Sequence, residues 1–378
     1  MERLTLFVFI DALGWEVLRG RTFMEEELPF RRKLRSVFGY SSACVPSILS
    51  GNSPRDHGHW SFYYVNETDS PFRPFKWMQY LPLQNRGRVR HQLSKLIKKV
   101  LGWTGYFQLY NMPFPYLDQY DYCEKKDIFA PGGMNMGTHV FDELNARGIP
   151  YHVSDWRKGE ETNLDSLKND LASGEPRFAF LYMAAMDALL HDVGKGSSRV
   201  DTKLAWYEAA LTEVLEVARE QYGEVDLFIC SDHGMATVTE SVDLMGKIEA
   251  LPHRFGRDYL AAYDSTMARF WFRTERCRED ITRILARHPA GRILSQLELA
   301  ELGCDFDGEQ YGELVFLLEP GKIICPSHMG EKPVTGMHGY HPDDADSDAV
   351  LLSNKPVTHH VSAITDLKTL MLREATLA

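Results

Sequence analysis

Acidic and histidine side chains recur along the chain, most of them just after an apolar stretch. Carboxylate oxygens and imidazole nitrogens are the ligands that zinc and manganese take in proteins. Two such ions, held about 3.5–4 Å apart, stabilise both the attacking and the leaving oxygen of an in-line displacement. The sequence therefore predicts a two-metal hydrolytic site, with the candidate ligands Asp11, Asp187, His191, Asp232, His233, His338 and His341.

Each candidate ligand also has an ordinary structural explanation. An aspartate that follows a strand, such as Asp11, often caps a turn or a helix. The Asp187-x-x-x-His191 spacing also occurs in surface pairs, and "SDHG" at 231–234 can form a plain turn. The combination favours a metal site, because four separate segments carry the same chemistry.

A candidate nucleophile lies in the stretch "YSSACVPSILSG" at 40–51. A serine hydroxyl is a weak nucleophile at neutral pH unless a base or a metal activates it. No general base is obvious nearby, so coordination to a divalent metal is the favoured activation. The stretch alone does not choose among its candidates, which are Ser41, Ser42, Cys44 and Ser47.

The elements that must position these residues alternate between strands and helices. Continuous apolar runs at 4–10, 178–183 and 225–230 are typical of strands buried on both faces. Helical patterns lie at 136–147 and 198–221. This alternation predicts an α/β fold with a mostly parallel central sheet flanked by helices. The polar residues follow the strands at the carboxyl edge, where ligands bind in open sheets.

Two segments interrupt this alternation and suggest a division of the chain. Residues 61–130 are rich in aromatic residues and proline and are predicted to form a cap insertion, whereas 238–335 are predicted to form a smaller α+β subdomain. The catalytic core would then comprise 1–60, 131–237 and 336–378.

Composition narrows the class of protein. The 378 residues are 44% hydrophobic and 25% charged, as in ordinary globular proteins. A formal net charge of −11 argues against a nucleic-acid polymer as partner. The six cysteines include no CxxC pair, and the first apolar run, at 4–10, is short for a signal peptide. We therefore expect a cytoplasmic protein.

A basic segment at 88–103 has helical periodicity. We expect a helix that covers the cap with its apolar stripe and exposes its basic face. The alternative is peripheral contact with a membrane or with a lipid-linked substrate. The apolar stripe comprises Val89, Leu93, Leu96, Ile97, Val100 and Leu101, and the basic face comprises Arg90, Lys95, Lys98 and Lys99.

Five segments between residues 9 and 342 together resemble the alkaline phosphatase superfamily, and within it the nucleotide pyrophosphatase/phosphodiesterase branch. They are "FIDALGW", "YSSACVPSILSGNSPRDHG", "MDALLHDVG", "CSDHGM" and "GMHGYHP". The resemblance implies two divalent ions, zinc first and manganese as the alternative. It assigns one ion to Asp187, His191 and His338, and the other to Asp11, Ser41, Asp232 and His233.

The resemblance also selects a nucleophile. In this superfamily the nucleophile stands ten residues before the glycine that closes the small-residue run, and counting back from Gly51 reaches Ser41. Ser42 is the alternative. Cys44 is superficially similar to the sulfatase cysteine, but it lies only seven residues before Gly51 and lacks the arginine that follows in sulfatases.

One position departs from the pattern of the branch. An asparagine that holds a phosphate oxygen usually follows the "HG" pair by a few residues. Here Phe62 falls near that position and Asn66 lies further on, so both are only candidates for substrate binding.

The function that these features predict is metal-dependent hydrolysis of phosphodiester or pyrophosphate bonds in a small nucleotide-like substrate, through a covalent seryl-phospho intermediate. A diester is favoured over a monoester because the segments assigned to the site, "YSSACVPS", "MDALLHD", "CSDHGM" and "GMHGYH", contain no Arg or Lys. The alternatives are a phosphomonoesterase or phosphonate hydrolase on the same scaffold, and a non-catalytic binding protein. The latter would be expected to have lost metal ligands, and every predicted position is filled.

Overall fold

A computed structural model describes residues 3–82 and 86–377. The strands in these ranges are β1 (Arg3–Ile10), β2 (Phe30–Leu34), β3 (Tyr63–Val65), β4 (Tyr120–Tyr122), β5 (Tyr151–Val153), β6 (Phe178–Met183), β7 (Glu224–Cys230), β8 (Ala236–Thr237), β9 (Glu240–Val242), β10 (Tyr259–Tyr263), β11 (Met267–Phe272), β12 (Gly291–Ile293), β13 (Leu314–Leu318), β14 (Lys322–Ile324), β15 (Gly336–Met337) and β16 (Ala349–Ser353).

The helices in the same ranges are α1 (Trp15–Leu18), α2 (Ser41–Ser50), α3 (Pro54–His57), α4 (Gly87–Leu101), α5 (Val140–Ala146), α6 (Glu160–Ala172), α7 (Ala185–Val193), α8 (Ser198–Gln221), α9 (Leu244–Glu249), α10 (Glu275–Leu285), α11 (Gln296–Glu301) and α12 (Leu367–Leu377). Short 3₁₀ helices cover Arg73–Tyr80, Phe114–Gln119, Asp307–Glu309, Ala345–Ser347 and Ile364–Asp366. None of the described helices is long and apolar enough to cross a membrane.

The central sheet has six strands in the order β2-β16-β7-β1-β6-β5. The neighbours β7, β1, β6 and β5 run parallel, and β16 is antiparallel to both of its neighbours. Alternate residues of β1 enter two different cores: Leu6 and Val8 pack beside α6 and α8, whereas Phe7 and Phe9 pack beside α2, α5 and α12. Burial on both faces explains the continuous apolar runs and confirms the predicted α/β fold.

Residues 61–130 build their own aromatic core on a second sheet. The short strands β3 and β4 pair with each other, and aromatic residues around them, such as Phe72 and Tyr122, are buried. The same core includes Leu260 and Trp271 of an antiparallel sheet with the order β10-β11-β13-β12. Residues 61–130 therefore pack against residues 238–335.

Helix α4 corresponds to the predicted basic helix, but its faces differ from the expectation. Arg90, expected on the solvent face, is buried, with its guanidinium 4.2 Å from the ring centroid of Phe114 and its Nη1 donating to two backbone carbonyls. Leu96 and Val100, expected in the apolar stripe, are 43% and 62% exposed. The prediction for these three side chains is wrong. Arg90 is buried because the segment before the 3₁₀ helix Phe114–Gln119 supplies carbonyl acceptors, which periodicity does not reveal.

Candidate active site

The carboxyl edge of the central sheet gathers the predicted side chains. Asp11 directly follows β1, and Asp232 and His233 follow β7. The chain leaving β6 turns into α7, which presents Asp187 in its first turn. Because adjacent parallel strands end at the same edge of a sheet, residues far apart in sequence become neighbours here.

Ser41 is the first residue of α2, and its Oγ lies 3.0 Å from Nε2 of His233. Ser42 is oriented away, since its Oγ donates to the carbonyl of Trp60 at 2.9 Å. Cys44 is fully buried, and this burial raises the pKa of its thiol well above the ordinary value. Of these three candidates, Ser41 is the one whose nucleophilic atom faces the acids and histidines.

Asp11, Asp232 and His233 form one group whose ligand atoms lie within 4.8 Å of one another. His233 Nδ1 faces the carbonyl of Gly234 at 3.0 Å, which directs Nε2 into the group. Nε2 lies 3.1 Å from Asp232 Oδ2 and 3.7 Å from Asp11 Oδ1. The side chain that donates to Asp11 from outside the group is Tyr182, at 3.1 Å.

Asp187, His233 and His338 form a second group whose ligand atoms also lie within 4.8 Å of one another. His233 therefore belongs to both groups. The His233 and His338 rings are stacked with centroids 3.8 Å apart. His191 lies beside this group: its Nδ1 faces the carbonyl of Gly336 at 2.8 Å, and its Nε2 lies 3.3 Å from Asp187 Oδ1. The structure therefore brings together all of the residues that the resemblance assigned to two ions.

The side chains of the two groups offer one another more hydrogen-bond acceptors than donors. Within residues 3–82 and 86–377, Asp11 Oδ1, Asp187 Oδ1 and Asp232 Oδ2 are buried without a hydrogen-bond partner. A buried carboxylate oxygen without a donor is costly, and a divalent cation removes that cost. The chemistry of this donor set, with carboxylates and imidazoles on each side of His233, fits zinc or manganese.

The charges of the site favour bound positive charge. Burial, followed by repulsion from Asp232, raises the pKa of Asp11 well above its ordinary value. Burial opposes protonation of His233, but Asp232 and Asp11 outweigh it and raise the pKa of His233 to about 10. Burial and then the charge of His233 lower the pKa of His338 well below its ordinary value. A proton and a metal ion would therefore compete for this site.

Two predicted candidates lie elsewhere. His341 is half-buried, with its ring nitrogens 3.4 Å from Glu298 and 3.6 Å from Asp343, and it does not line the site. Asn66 donates to Asp121 at 3.1 Å within residues 61–130 and likewise lies outside the site. Phe62 does reach the site, as a wall of the cavity described next.

One cavity of about 550 Å³ connects the metal-ligand candidates to the aromatic insertion. Its lining includes Asp11, Ser41, Asp187, His191 and His338, which with the buried Asp232 and His233 we call the acid–histidine cluster. It also includes Phe62, Tyr106, Tyr110 and Trp156, which we call the aromatic wall. A molecule bound at the cluster would therefore share the cavity with these aromatic side chains.

The sequence did not reveal several residues of the site. Tyr182 is the penultimate residue of β6, so its place in a predicted strand next to Asp187 was an available signal. Glu124 lines the cavity without belonging to any local pattern, and the exposed Lys126 and Lys332 also line it. The predicted absence of Arg and Lys thus holds for the segments of the cluster but not for the whole cavity.

A family model described as "Type I phosphodiesterase / nucleotide pyrophosphatase" matches residues 5–341. The chain belongs to this family. It is accordingly a hydrolase that acts on phosphoester bonds, which agrees with the convergence of acids and histidines at the sheet edge. Curated proteins, in contrast, include no match to the chain.

Solved structures confirm the fold. The murine ectonucleotide pyrophosphatase/phosphodiesterase 5 is 15% identical with a TM-score of 0.71, over 99% of this chain and 95% of that one. The human protein is 14% identical with a TM-score of 0.70, over the same shares. An inactive variant of the murine protein in complex with AMP is 15% identical with a TM-score of 0.69, over 100% of this chain and 96% of that one.

Proposed function

We propose that this protein is a two-metal phosphodiesterase or pyrophosphatase that acts on a small nucleotide-like substrate, with Ser41 as nucleophile. The observation that carries the proposal is the position of Ser41 Oγ, 3.0 Å from His233 Nε2 and beside carboxylate oxygens that have no donor among the described residues. This places a hydroxyl where a metal would favour its ionised form.

The residues that would hold the metals divide around His233. Asp187, His191 and His338 would hold one ion, and Asp11, Asp232 and His233 would hold the other together with Ser41. When bound, divalent ions supply Lewis acidity that lowers the pKa of a bound hydroxyl and neutralises charge on phosphate oxygens. The hydrogen bonds of His191 and His233 to backbone carbonyls fix which ring nitrogen faces the site.

The covalent step belongs to Ser41. Its Oγ forms a bond to phosphorus while the bond from phosphorus to the leaving oxygen breaks, and water then hydrolyses the seryl-phospho intermediate to restore the hydroxyl. Ser41 starts α2, so a phosphate beside it would face the amide end of a ten-residue helix. That placement favours an anion at the nucleophile before any reaction.

The substrate is proposed to be a diester with a nucleotide-like group. The cluster itself contains no Arg or Lys to neutralise a dianionic monoester, and the aromatic wall offers ring faces for a second organic group. Stacking a base on an aromatic ring is worth about 1–3 kcal/mol. The relative solved with AMP shows that one protein of this fold accommodates a nucleotide. Lys126 and Lys332 at the cavity favour the second candidate, a phosphomonoesterase.

A substrate pair decides between these candidates. We expect zinc- or manganese-loaded protein to cleave the p-nitrophenyl ester of thymidine 5′-monophosphate with a kcat/KM at least about tenfold above that for p-nitrophenyl phosphate, because stacking of the thymine adds affinity. A monoester preference of similar size would instead establish the phosphomonoesterase. The cytoplasmic location and lipid contact through residues 88–103 stay predictions.

A further inference from the structure

His338 differs from the other two histidines of the acid–histidine cluster in how its ring is held. His191 and His233 each direct Nδ1 to a backbone carbonyl, that of Gly336 and that of Gly234 respectively. The Nδ1 of His338 is buried without a hydrogen-bond partner among the described residues. A metal-ligating histidine is normally oriented by a hydrogen bond from its second ring nitrogen. The orientation of His338 must therefore come from the residues packed around it.

Tyr40 is one of these residues. Its ring lies edge-on to that of His338, with the two centroids 5.7 Å apart. The ring also packs closely on the backbone of the next residue, since a Cβ on Gly339 would lie 2.5 Å from Tyr40 Cε1. Gly339 has a φ of +89°, which a residue with a side chain rarely adopts. A glycine after His338 therefore leaves the room that the ring of Tyr40 occupies.

Tyr40 also lies at the start of the helix that carries the nucleophile. It is the residue before α2, whose first residue is Ser41. The carbonyl of Tyr40 accepts hydrogen bonds from the amides of Ala43 at 2.7 Å and Cys44 at 3.0 Å. The direction of Ser41 Oγ towards His233 therefore depends on where the backbone of Tyr40 lies.

Thr266, in the turn between β10 and β11, holds Tyr40 and the backbone after His338 together. Its Oγ1 donates to the carbonyl of Gly339 at 2.8 Å, so in its 2.8 Å contact with the Tyr40 hydroxyl the tyrosine is the donor. The same tyrosine hydroxyl accepts from the Thr266 amide at 3.0 Å. Thr266 is fully buried, and its own carbonyl accepts from the Leu318 amide of β13 at 2.9 Å. A residue fixed on the antiparallel sheet thus contacts two parts of the site.

We propose that Thr266 is a positioning residue for both the nucleophile Ser41 and the metal ligand His338, and that it acts through Tyr40 and Gly339. The inference rests on the proposed function, because it takes Ser41 as the nucleophile and His338 as a ligand. Thr266 does not itself line the cavity. Its hydroxyl joins the residue before the nucleophile to the residue after the ligand, so removing it should loosen both together.

The zinc affinity of metal-free protein tests the link to His338. Thr266→Val removes the hydroxyl and keeps a branched side chain of similar size. We expect it to bind one of the two zinc ions about tenfold more weakly than the wild type, in competition with a chromophoric chelator. Thr266→Ser restores the hydroxyl and should restore the affinity. Thr5→Val is the matched control and should bind zinc as the wild type does, since Thr5 is a fully buried threonine of β1 whose Oγ1 has no hydrogen-bond partner among the described residues.

Turnover tests the link to Ser41. At saturating zinc, kcat for the p-nitrophenyl ester of thymidine 5′-monophosphate should fall by about tenfold in Thr266→Val with little change in KM, and should recover in Thr266→Ser. Tyr40→Phe breaks the same chain of hydrogen bonds. The loss of kcat in Tyr40→Phe/Thr266→Val should therefore be smaller than the product of the two single losses.

The two measurements separate this inference from the proposed function. If the wild type binds zinc but cleaves neither the thymidine ester nor p-nitrophenyl phosphate, the proposed function fails. A loss of zinc affinity in Thr266→Val that Thr266→Ser reverses would then still support the inference for His338. Wild-type zinc affinity and kcat in Thr266→Val would overturn the inference. So would an equal loss in Thr266→Ser or in Thr5→Val, because the hydroxyl contacts of Thr266 would then not be the cause.

Discussion

The acid–histidine cluster and the aromatic wall, which line the same cavity, are built in different ways. The acid–histidine cluster lies where strands of the central sheet end, so hydrogen-bonded strand pairs fix the spacing of its side chains. The aromatic wall comes largely from segments between short elements of residues 61–130 and is held by ring packing. A sheet edge holds reacting groups at set distances, whereas connecting segments vary the surface around them. The comparison suggests that the core determines the reaction and the insertion determines the substrate.

The cluster and the wall also differ in how they satisfy buried polar groups. In the cluster, three carboxylate oxygens are buried without a hydrogen-bond partner among the described residues. The hydroxyls of the wall are partly satisfied within it, since Tyr106 and Tyr110 share a hydrogen bond of 2.8 Å. Changes at the cluster should therefore affect metal content and turnover, and changes at the wall should affect substrate affinity and stability.

The largest expected effect is that of Ser41→Ala. Removing the nucleophile eliminates the reaction path, so kcat should fall by at least about 10³-fold while elemental analysis still finds both metals. Ser42→Ala and Cys44→Ala should be mild, because neither side chain faces the cluster. An inactive Cys44→Ala protein together with an active Ser41→Ala protein would show that the ten-residue count from Gly51 does not identify the nucleophile.

The double substitution Asp232→Asn/His233→Ala should remove nearly all activity and lower the metal content from about two ions per chain to about one. The physical reason is that it deletes an imidazole and a buried carboxylate charge from the group Asp11, Asp232 and His233, and leaves Asp187, His191 and His338 in place. His341→Ala/Asp343→Asn changes a comparable pair outside the cavity and should keep both ions. Full activity in the presence of chelator, in protein without transition metal, would contradict the two-metal proposal.

Phe62→Leu should act on affinity rather than on chemistry. Losing the ring face should raise KM for the thymidine ester by about tenfold, since stacking on an aromatic ring is worth about 1–3 kcal/mol. The kcat value and the kinetics with p-nitrophenyl phosphate should change little. Tyr116→Leu, an aromatic substitution in the same insertion but away from the cavity, is the control. An effect on kcat alone would show that the wall takes part in positioning the reaction.

The smallest expected effect concerns stability. The pKa of Glu124 is raised to about 8 in the folded protein, against about 4.5 when the chain is unfolded. Between these values the folded state binds the extra proton, so the free energy of unfolding falls as the pH rises. Glu124→Gln removes this pH-dependent contribution to the free energy of unfolding. The melting temperature of the variant, relative to that of the wild type, should therefore rise by a few °C between pH 5 and pH 8. A constant difference would show that Glu124 is already ionised.

Much of the fold and of the cluster was accessible from the sequence. The run 178–183 coincides with β6, because burial on both faces leaves a continuous apolar run, and the pattern 198–221 coincides with α8, because burial on one face leaves a helical period. The helix predicted at 136–147 is shorter in the structure, at Val140–Ala146. Most of the metal-ligand candidates were found because they follow such an element, whereas His338 was found in the motif "GMHGYHP". Their division between two ions came from family resemblance.

Local sequence could not decide which of two similar residues faces the cavity. His338 and His341 belong to one motif, yet only His338 approaches Asp187, with its Nε2 at 3.5 Å from the carboxylate. Ser41 and Ser42 are adjacent, and the hydrogen bond of Ser42 to Trp60 separates them. Such choices depend on side-chain direction at the end of an element, where no repeating pattern exists.

The sequence by itself determined the apolar strands, the acids and histidines that follow them, and hence the class of chemistry. Only the tertiary structure decided that Phe62, Tyr106 and Glu124, separated by tens of residues, line one cavity with Ser41. It also decided that Arg90 is buried rather than exposed. The physical reason is that periodicity records which face of an element is buried. The partners that meet across a cavity are set by how separate elements pack.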